Sequence, residues 1–148
     1  MYPIQRNRRL RSSPSLRALV QEHKLSADDF IVPLFIIEGK QKREKIPSMP
    51  GYFRITLDLI PEHVKNLWSL GLKSVLIFVK ISEDLKDNKG SEALNSGGLM
   101  HSAIKKVKDA VPDMVVMTDV ALDPYSSYGH DGIVEKGKIC LLYTSPSP

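Results

Sequence analysis

Three nearly continuous apolar runs recur along the chain, about 40 residues apart, with polar segments between them. They fall within Phe30–Ile37, Ser74–Ile81 and Met114–Thr118. A strand buried on both faces of a parallel sheet gives such a solid run, whereas a strand with one wet face alternates apolar and polar residues. Each run is therefore predicted to be a strand of a parallel sheet.

The segments between these runs carry apolar residues at helical spacing. One stripe, at i, i+4, i+7 and i+8, predicts a helix over Asp58–Leu70, and a second predicts a helix that ends near Ala110. The stripes consist of Ile60, Val64, Leu67 and Trp68, and of Leu99, Ala103, Ile104 and Val107. A further short helix is predicted over Pro14–Glu22.

Turn chemistry marks the ends of these elements. The segment Ser26–Asp29 has the shape of a capping box. Residues 40–56 include the sequence IPSMPG, whose two prolines and glycine predict an irregular connection. The expected helix caps are Thr56 or Asp58 for the first long helix and Ser96 for the second, with Gly71 at the end of the first.

The predicted order is a basic arm followed by β, α, β, α and β. Alternating strands and helices imply an α/β fold with a parallel sheet, either open and doubly wound or closed into an eight-stranded barrel. No GxGxxG motif follows the first strand, which weakens the dinucleotide-binding version of the open sheet. The length of 148 residues fits one domain.

Positive charge is concentrated at the N-terminus. The net charge is +4, and five arginines lie within the first 17 residues: Arg6, Arg8, Arg9, Arg11 and Arg17. Residues 1–13 have no apolar periodicity and are predicted to form an extended arm. Such an arm binds nucleic acid or packs on a partner subunit. No aromatic interleaving or recognition helix follows it, which disfavours nucleic acid.

Other function classes are excluded by absences in the sequence. No apolar run reaches the roughly 18 residues that a membrane-spanning helix requires, and the N-terminus lacks the apolar region of a secretory signal. The single cysteine, Cys140, allows neither an internal disulfide nor a cysteine metal site. These features predict a protein of the reducing cytoplasm.

The segment Met114–Gly132 concentrates the candidate chemistry. An apolar strand opens here into a polar loop, as at the active-site end of a parallel barrel. The loop carries Asp119, Asp123, Tyr125, Ser126, Ser127, Tyr128, His130 and Asp131. A solvated turn rich in Asp and Ser is the alternative interpretation of the same residues.

Several motifs in this order resemble those of the porphobilinogen synthase (5-aminolevulinate dehydratase) family. The most specific are IPSMPG at residues 46–51, TDVALDPYSS at residues 118–127 and GHDG at residues 129–132. RRLR at residues 8–11, PLF at residues 33–35 and GSEA at residues 90–93 add to the resemblance, which covers about residues 6–139. The exit from the second strand departs from it, since Val79-Lys80-Ile81 replaces the usual exit containing Gly or Pro.

The resemblance implies a TIM (β/α)8 barrel that condenses two molecules of 5-aminolevulinate to porphobilinogen, the precursor of haem and chlorophyll. It implies a homo-oligomer in which the arm, residues 1–13, packs on a neighbouring subunit. Residues 14–139 are expected to be the first βα units of an incomplete barrel, and residues 140–148 a tail without a family counterpart. The two Schiff-base lysines of the family match no lysine here, so the 148-residue chain alone is expected to be inactive.

The resemblance also assigns roles within the loop. Asp119 matches the family's catalytic aspartate, which steers proton transfer near the Schiff-base lysines. Ala121, Asp123 and Asp131 stand where the zinc-using branch has cysteines, so the resemblance implies Mg²⁺ rather than zinc, with Asp123 and Asp131 as ligands. Ala121 removes one potential ligand, and in the alternative interpretation Asp123 and Asp131 bind substrate through water or a monovalent ion. Tyr125, Ser126, Ser127 and His130 are expected to order the loop around the substrate.

A non-catalytic interaction module derived from the same fold is the alternative from another function class. Two lysine motifs encoded downstream would favour the enzyme, whereas a genuine stop codon would favour the module.

Overall fold

A five-stranded sheet forms the centre of the protein. The structure is a computed structural model and describes residues 4, 8–129 and 133–140. The strands are β1 (Ile31–Ile37), β2 (Arg43–Lys45), β3 (Phe53–Thr56), β4 (Ser74–Lys80) and β5 (Val115–Thr118), in the order β2-β3-β1-β4-β5. All neighbours pair in parallel except β2, which is antiparallel to β3. The three predicted strands are confirmed as β1, β4 and β5.

Two long helices cover one face of the sheet. The helices are α1 (Pro14–Leu19), α2 (Ile60–Ser69) and α3 (Leu99–Ala110). The predicted stripes of α2 and α3 pack on alternate residues of β1 and β4. The buried core of this face includes Leu34, Ile36, Ile60, Val64, Leu67, Val75, Ile77, Leu99, Ala103 and Val107. Since each buried Val, Leu or Ile stabilises a fold by roughly 1.5–3 kcal/mol, this layer holds the sheet and helices together.

The opposite face of the sheet is aromatic and largely uncovered. Phe35 and Phe78 are register partners, and their rings stack with centroids 5.4 Å apart. The ring of Tyr52 meets Phe35 edge-on at 6.2 Å. At the amino-terminal ends of β1 and β5, on this same face, Ile31 and Val115 are each about half exposed, at 50% and 51%. In a closed barrel this is the face that would turn inward.

The expectation of an irregular connection over residues 40–56 was wrong at both of its ends. The strands β2 and β3 form a hairpin there. β3 also pairs with the carboxyl-terminal end of β1, with Ile36 opposite Ile55. The two prolines lie in the turn of the hairpin, where the Ile46 N–H donates to Tyr52 O at 3.1 Å. Strands of three and four residues with mixed polarity are too short to show a period, so the turn residues dominated the prediction.

The predicted helix ends need correction. The helix α1 ends at Leu19, whose side chain is 80% exposed, rather than at Glu22. A 3₁₀ turn leads into α2 without a side-chain cap, and the Asp58 carboxylate instead accepts the Gln41 N–H at 2.9 Å. Gly98, not Ser96, precedes α3. The Ser26–Asp29 capping box and the left-handed Gly71 after α2 are confirmed.

Two short features flank the sheet. In the arm, Arg9–Arg11 forms an exposed 3₁₀ turn rather than extended chain. The loop after β5, residues 119–132, is called the acidic loop because its sequence contains Asp119, Asp123 and Asp131. Beyond it, β6 (Ile133–Glu135) and β7 (Lys138–Cys140) form a hairpin that the sequence did not predict. Among the described residues, no helix is long and apolar enough to cross a membrane.

Candidate active site

The carboxyl ends of β1, β4 and β5 lie side by side, because all three strands run in parallel, and they form the carboxyl-terminal edge of the sheet. A cavity of about 230 Å³ opens at this edge. Its lining includes Phe78, Lys80, Lys86, Asp119, Asp123 and Tyr125. The two described acids of the candidate loop therefore share one cavity, together with two lysines that the sequence did not single out as site residues.

Strand register sets the position of Asp119. Thr118, the last residue of β5, is the partner of Ile77 on the helix-covered face. Side chains alternate along a strand, so the next residue, Asp119, falls on the same face as Phe78. The Asp119 side chain is exposed to solvent in the cavity. The structure thus places Asp119 at the carboxyl-terminal end of β5, beside the cavity, where the sequence predicted it.

A tight turn follows Asp119 and buries two residues of the loop. The N–H groups of Tyr125 and Ser126 both donate to Leu122 O at 2.9 Å, and the Ser126 hydroxyl accepts the Tyr128 N–H at 3.3 Å. Burial, and then the charge of Glu92, raise the pKa of Tyr125. A tyrosine phenol is protonated near neutral pH at its ordinary pKa, and this shift keeps it so. Ser127 and Tyr128 are exposed.

Lysine and glutamate side chains surround the same edge. Lys86 is only 19% exposed and lies 2.7 Å from the carboxylate of Glu83. Lys80 lies 3.9 Å from Glu44, which also accepts a 2.8 Å hydrogen bond from Arg54. The mouth of the sheet therefore offers both signs of charge, as a zwitterionic ligand requires. Lys80 could have been found from its place as the last residue of β4, at the same end of the sheet as Asp119.

The structure does not decide where every remaining predicted residue lies, since His130 and Asp131 are outside the described residues. Ser126 and Ser127 belong to the loop but do not line the cavity, and Ala121 offers no ligand atom. Within the described part of the chain, no three His, Cys, Asp or Glu side chains are grouped to hold a metal ion.

Comparison with known proteins identifies the family. A sequence model of the family "Delta-aminolevulinic acid dehydratase" matches residues 4–145. The chain belongs to this family. The matched range extends past Ile139, so the boundary expected for the tail stays a prediction.

Relatives from distant organisms agree. The chain is 40% identical to the delta-aminolevulinic acid dehydratase of Bacillus subtilis strain 168 over 90% of its length, and 42% identical to that of Methanothermus sociabilis over 93%. It is 44% identical to the chloroplastic enzyme of Glycine max over 92%. The matched segment spans only 41%, 42% and 33% of these three relatives.

A solved structure supports the fold. The chain matches the delta-aminolevulinic acid dehydratase of Toxoplasma gondii ME49, which was crystallised with its reaction product porphobilinogen, with a TM-score of 0.84 and 40% identity. The match covers 95% of this chain and 40% of the other. The predicted fold class, an α/β chain forming part of a (β/α)8 barrel, is confirmed.

Proposed function

We propose that the chain is part of a porphobilinogen synthase, which joins two molecules of 5-aminolevulinate and releases water to form porphobilinogen. The family match over residues 4–145 carries this proposal. The acids and cations that line the cavity suit a substrate with one ammonium group and one carboxylate. In the complete protein, the Schiff bases would come from lysines outside these 148 residues.

Within this proposal Asp119 is the catalytic residue of the segment. Its carboxylate lies at the cavity mouth, where it can balance a substrate ammonium and accept or return a proton. Asp123 lies in the same cavity and would bind substrate or a cation. The Tyr125 phenol would donate to a substrate oxygen, while Ser126, Ser127 and His130 keep the loop ordered.

The donor chemistry decides which metal fits the loop. Its acidic side chains supply oxygen atoms, and no cysteine occurs between residues 114 and 132, so hard Mg²⁺ suits the loop better than zinc. Asp123 and Asp131 would hold the ion. Magnesium bound there would neutralise carboxylate charge and orient substrate oxygens. Lys80 and Lys86 already supply positive charge to the cavity, which reduces the charge that a cation must balance.

Two further proposals concern the whole protein. We assign it to the cytoplasm, because one cysteine in the sequence suits a reducing compartment. We also propose a homo-oligomer in which the exposed basic arm packs on a neighbouring subunit.

The decisive experiment uses the complete protein from the same gene. Purified enzyme should convert 5-aminolevulinate to porphobilinogen, and Asp119→Asn should lower kcat by about 10²–10⁴-fold, because the amide cannot accept a proton. The matched control is Asp113→Asn, an exposed aspartate between α3 and β5 that lies outside the cavity. Inactive wild-type protein, or an early stop codon, would favour the interaction module instead.

A further inference from the structure

Backbone hydrogen bonds join the loop after β4 to the acidic loop after β5. The Asp87 N–H donates to Tyr125 O at 3.3 Å, and the Ser127 N–H donates to Asp87 O at 3.0 Å. These two bonds form an isolated parallel bridge between Asp87 and Ser126. A single residue of one loop therefore holds the other loop from both sides of its buried serine.

The next residue holds the far end of the acidic loop. The Val134 N–H donates to Asn88 Oδ1 at 3.0 Å, and Asn88 Nδ2 donates to Val134 O at 3.2 Å. The side-chain amide thus satisfies both backbone groups of one residue, as a neighbouring strand would. Val134 belongs to β6, so Asn88 fixes the β6–β7 hairpin to the loop after β4.

The conformation of Asp87 is itself locked. Its Oδ1 accepts the N–H groups of Lys89 at 2.8 Å and Ser91 at 3.0 Å. Gly90 adopts φ +65°, a conformation that other residues rarely take, and its Cα faces Leu122 and Tyr125 of the acidic loop. The tight turn after Asp87 therefore packs directly on the loop that it holds.

We propose that Asp87 and Asn88 form a latch that positions the acidic loop through hydrogen bonds to its middle and to the hairpin that follows it. The inference rests on the proposed function. Asp87 and Asn88 are positioning residues, since neither lines the cavity, and they act through Asp123 and Tyr125. Asp119 directly follows β5, so the strand rather than the latch holds it. Loss of the latch should therefore weaken substrate binding more than it slows the chemistry.

The test uses the complete enzyme with two variants and one control. Asn88→Ala removes both hydrogen bonds to Val134, whereas Asn88→Asp keeps the acceptor and removes the donor. The control is Asn66→Ala, an exposed asparagine on α2. We expect Asn88→Ala to raise KM for 5-aminolevulinate about tenfold while kcat falls less than about threefold. Asn88→Asp should have a smaller effect and Asn66→Ala none.

Hydrogen exchange supplies a readout that does not depend on activity. In metal-free enzyme, the peptide over residues 119–135 should exchange about tenfold faster in Asn88→Ala than in wild type, because both hydrogen bonds from Asn88 to Val134 are lost. Unchanged exchange in this peptide, or a loss confined to kcat, would overturn the latch. Absence of synthase activity in the wild-type protein would contradict the proposed function. The hydrogen-exchange measurement would still test the latch in that case. If Asn88→Ala does not fold, Asn88→Asp gives the same comparison with one hydrogen bond retained.

Discussion

Gly98 begins α3 at a point where the chain has no room for a side chain. A Cβ atom there would lie 2.9 Å from the backbone oxygen of Asn95, closer than real contacts allow. At the neighbouring Gly97, the nearest atom would be the Asn95 side chain at an ordinary 3.5 Å. We predict that Gly98→Ala lowers the free energy of unfolding by about 1–3 kcal/mol, because backbone must move to admit the methyl group.

Gly97→Ala is the matched control and should stay within about 0.5 kcal/mol of wild type. Urea denaturation of the complete enzyme, followed by circular dichroism, measures both variants. Equal stability of the two variants would mean that the turn before α3 admits a methyl group without loss of stability, which would contradict the steric argument.

The ligand atoms of the acidic loop also determine the response to metals. Ala121 supplies no ligand, and Asp123 supplies oxygen rather than sulfur. We therefore predict that the complete enzyme keeps its activity after selective zinc chelation and gains activity when Mg²⁺ is added. Assays of porphobilinogen formation after chelation, with each metal restored separately, measure this. Complete inactivation that only zinc reverses would contradict the assignment.

At the scale of elements, solid apolar strands and apolar stripes were the features that the sequence revealed. β1 and β4 are buried on the helix side and aromatic on the other, so nearly every position is apolar and the pattern is unambiguous. β2 and β3 were missed because pairing of their backbones, not a hydrophobic period, makes them strands. Asn88 was missed because it contacts Val134, 46 residues away, and no local pattern records such a contact.

Residues of the candidate site were likewise predicted where the local sequence carries a signal, and missed where their position depends on long-range contacts. Asp119 was found because it directly follows the apolar run that forms β5, and register then fixed its face. Lys86 joins the cavity only because the loop after β4 folds back over the sheet edge, so its position depends on tertiary contacts. The sequence thus predicted the cavity residues that belong to the motif after β5, Asp119, Asp123 and Tyr125, and missed Lys80 and Lys86, which no motif marks.

The arm, residues 1–13, is the element that we propose packs on a neighbouring subunit. In the described part of the arm, Arg8, Arg9, Leu10 and Arg11 are all exposed, and none joins the core of its own chain. Deletion of residues 1–13 from the complete enzyme is therefore predicted to lower its oligomeric state while each subunit stays folded. Size-exclusion chromatography with light scattering measures the assembly, and circular dichroism of the same sample checks the fold. An unchanged assembly would separate the arm from oligomerisation.

At the scale of the whole molecule, the sheet of the 148-residue chain remains open. β3 pairs with β1 only at Phe35–Ile37, on the side away from β4. β5 pairs with β4 alone among the described strands, so its other edge presents unpaired backbone groups. Val115 and Met117 of β5 are exposed on the face that a closed barrel would bury.

We therefore predict that the 148-residue chain, expressed alone, is aggregated or molten and forms no porphobilinogen. Each CH₂ left in water forgoes about 0.8 kcal/mol, so a few exposed Val, Ile and Met side chains offset much of a typical stability of roughly 5–15 kcal/mol. Light scattering and a thermal melt test the fold, and a product assay tests the chemistry. A soluble monomer with one sharp cooperative transition would contradict the structural half of the prediction. Measurable porphobilinogen would contradict the catalytic half, because the Schiff-base lysines are expected to lie outside these residues.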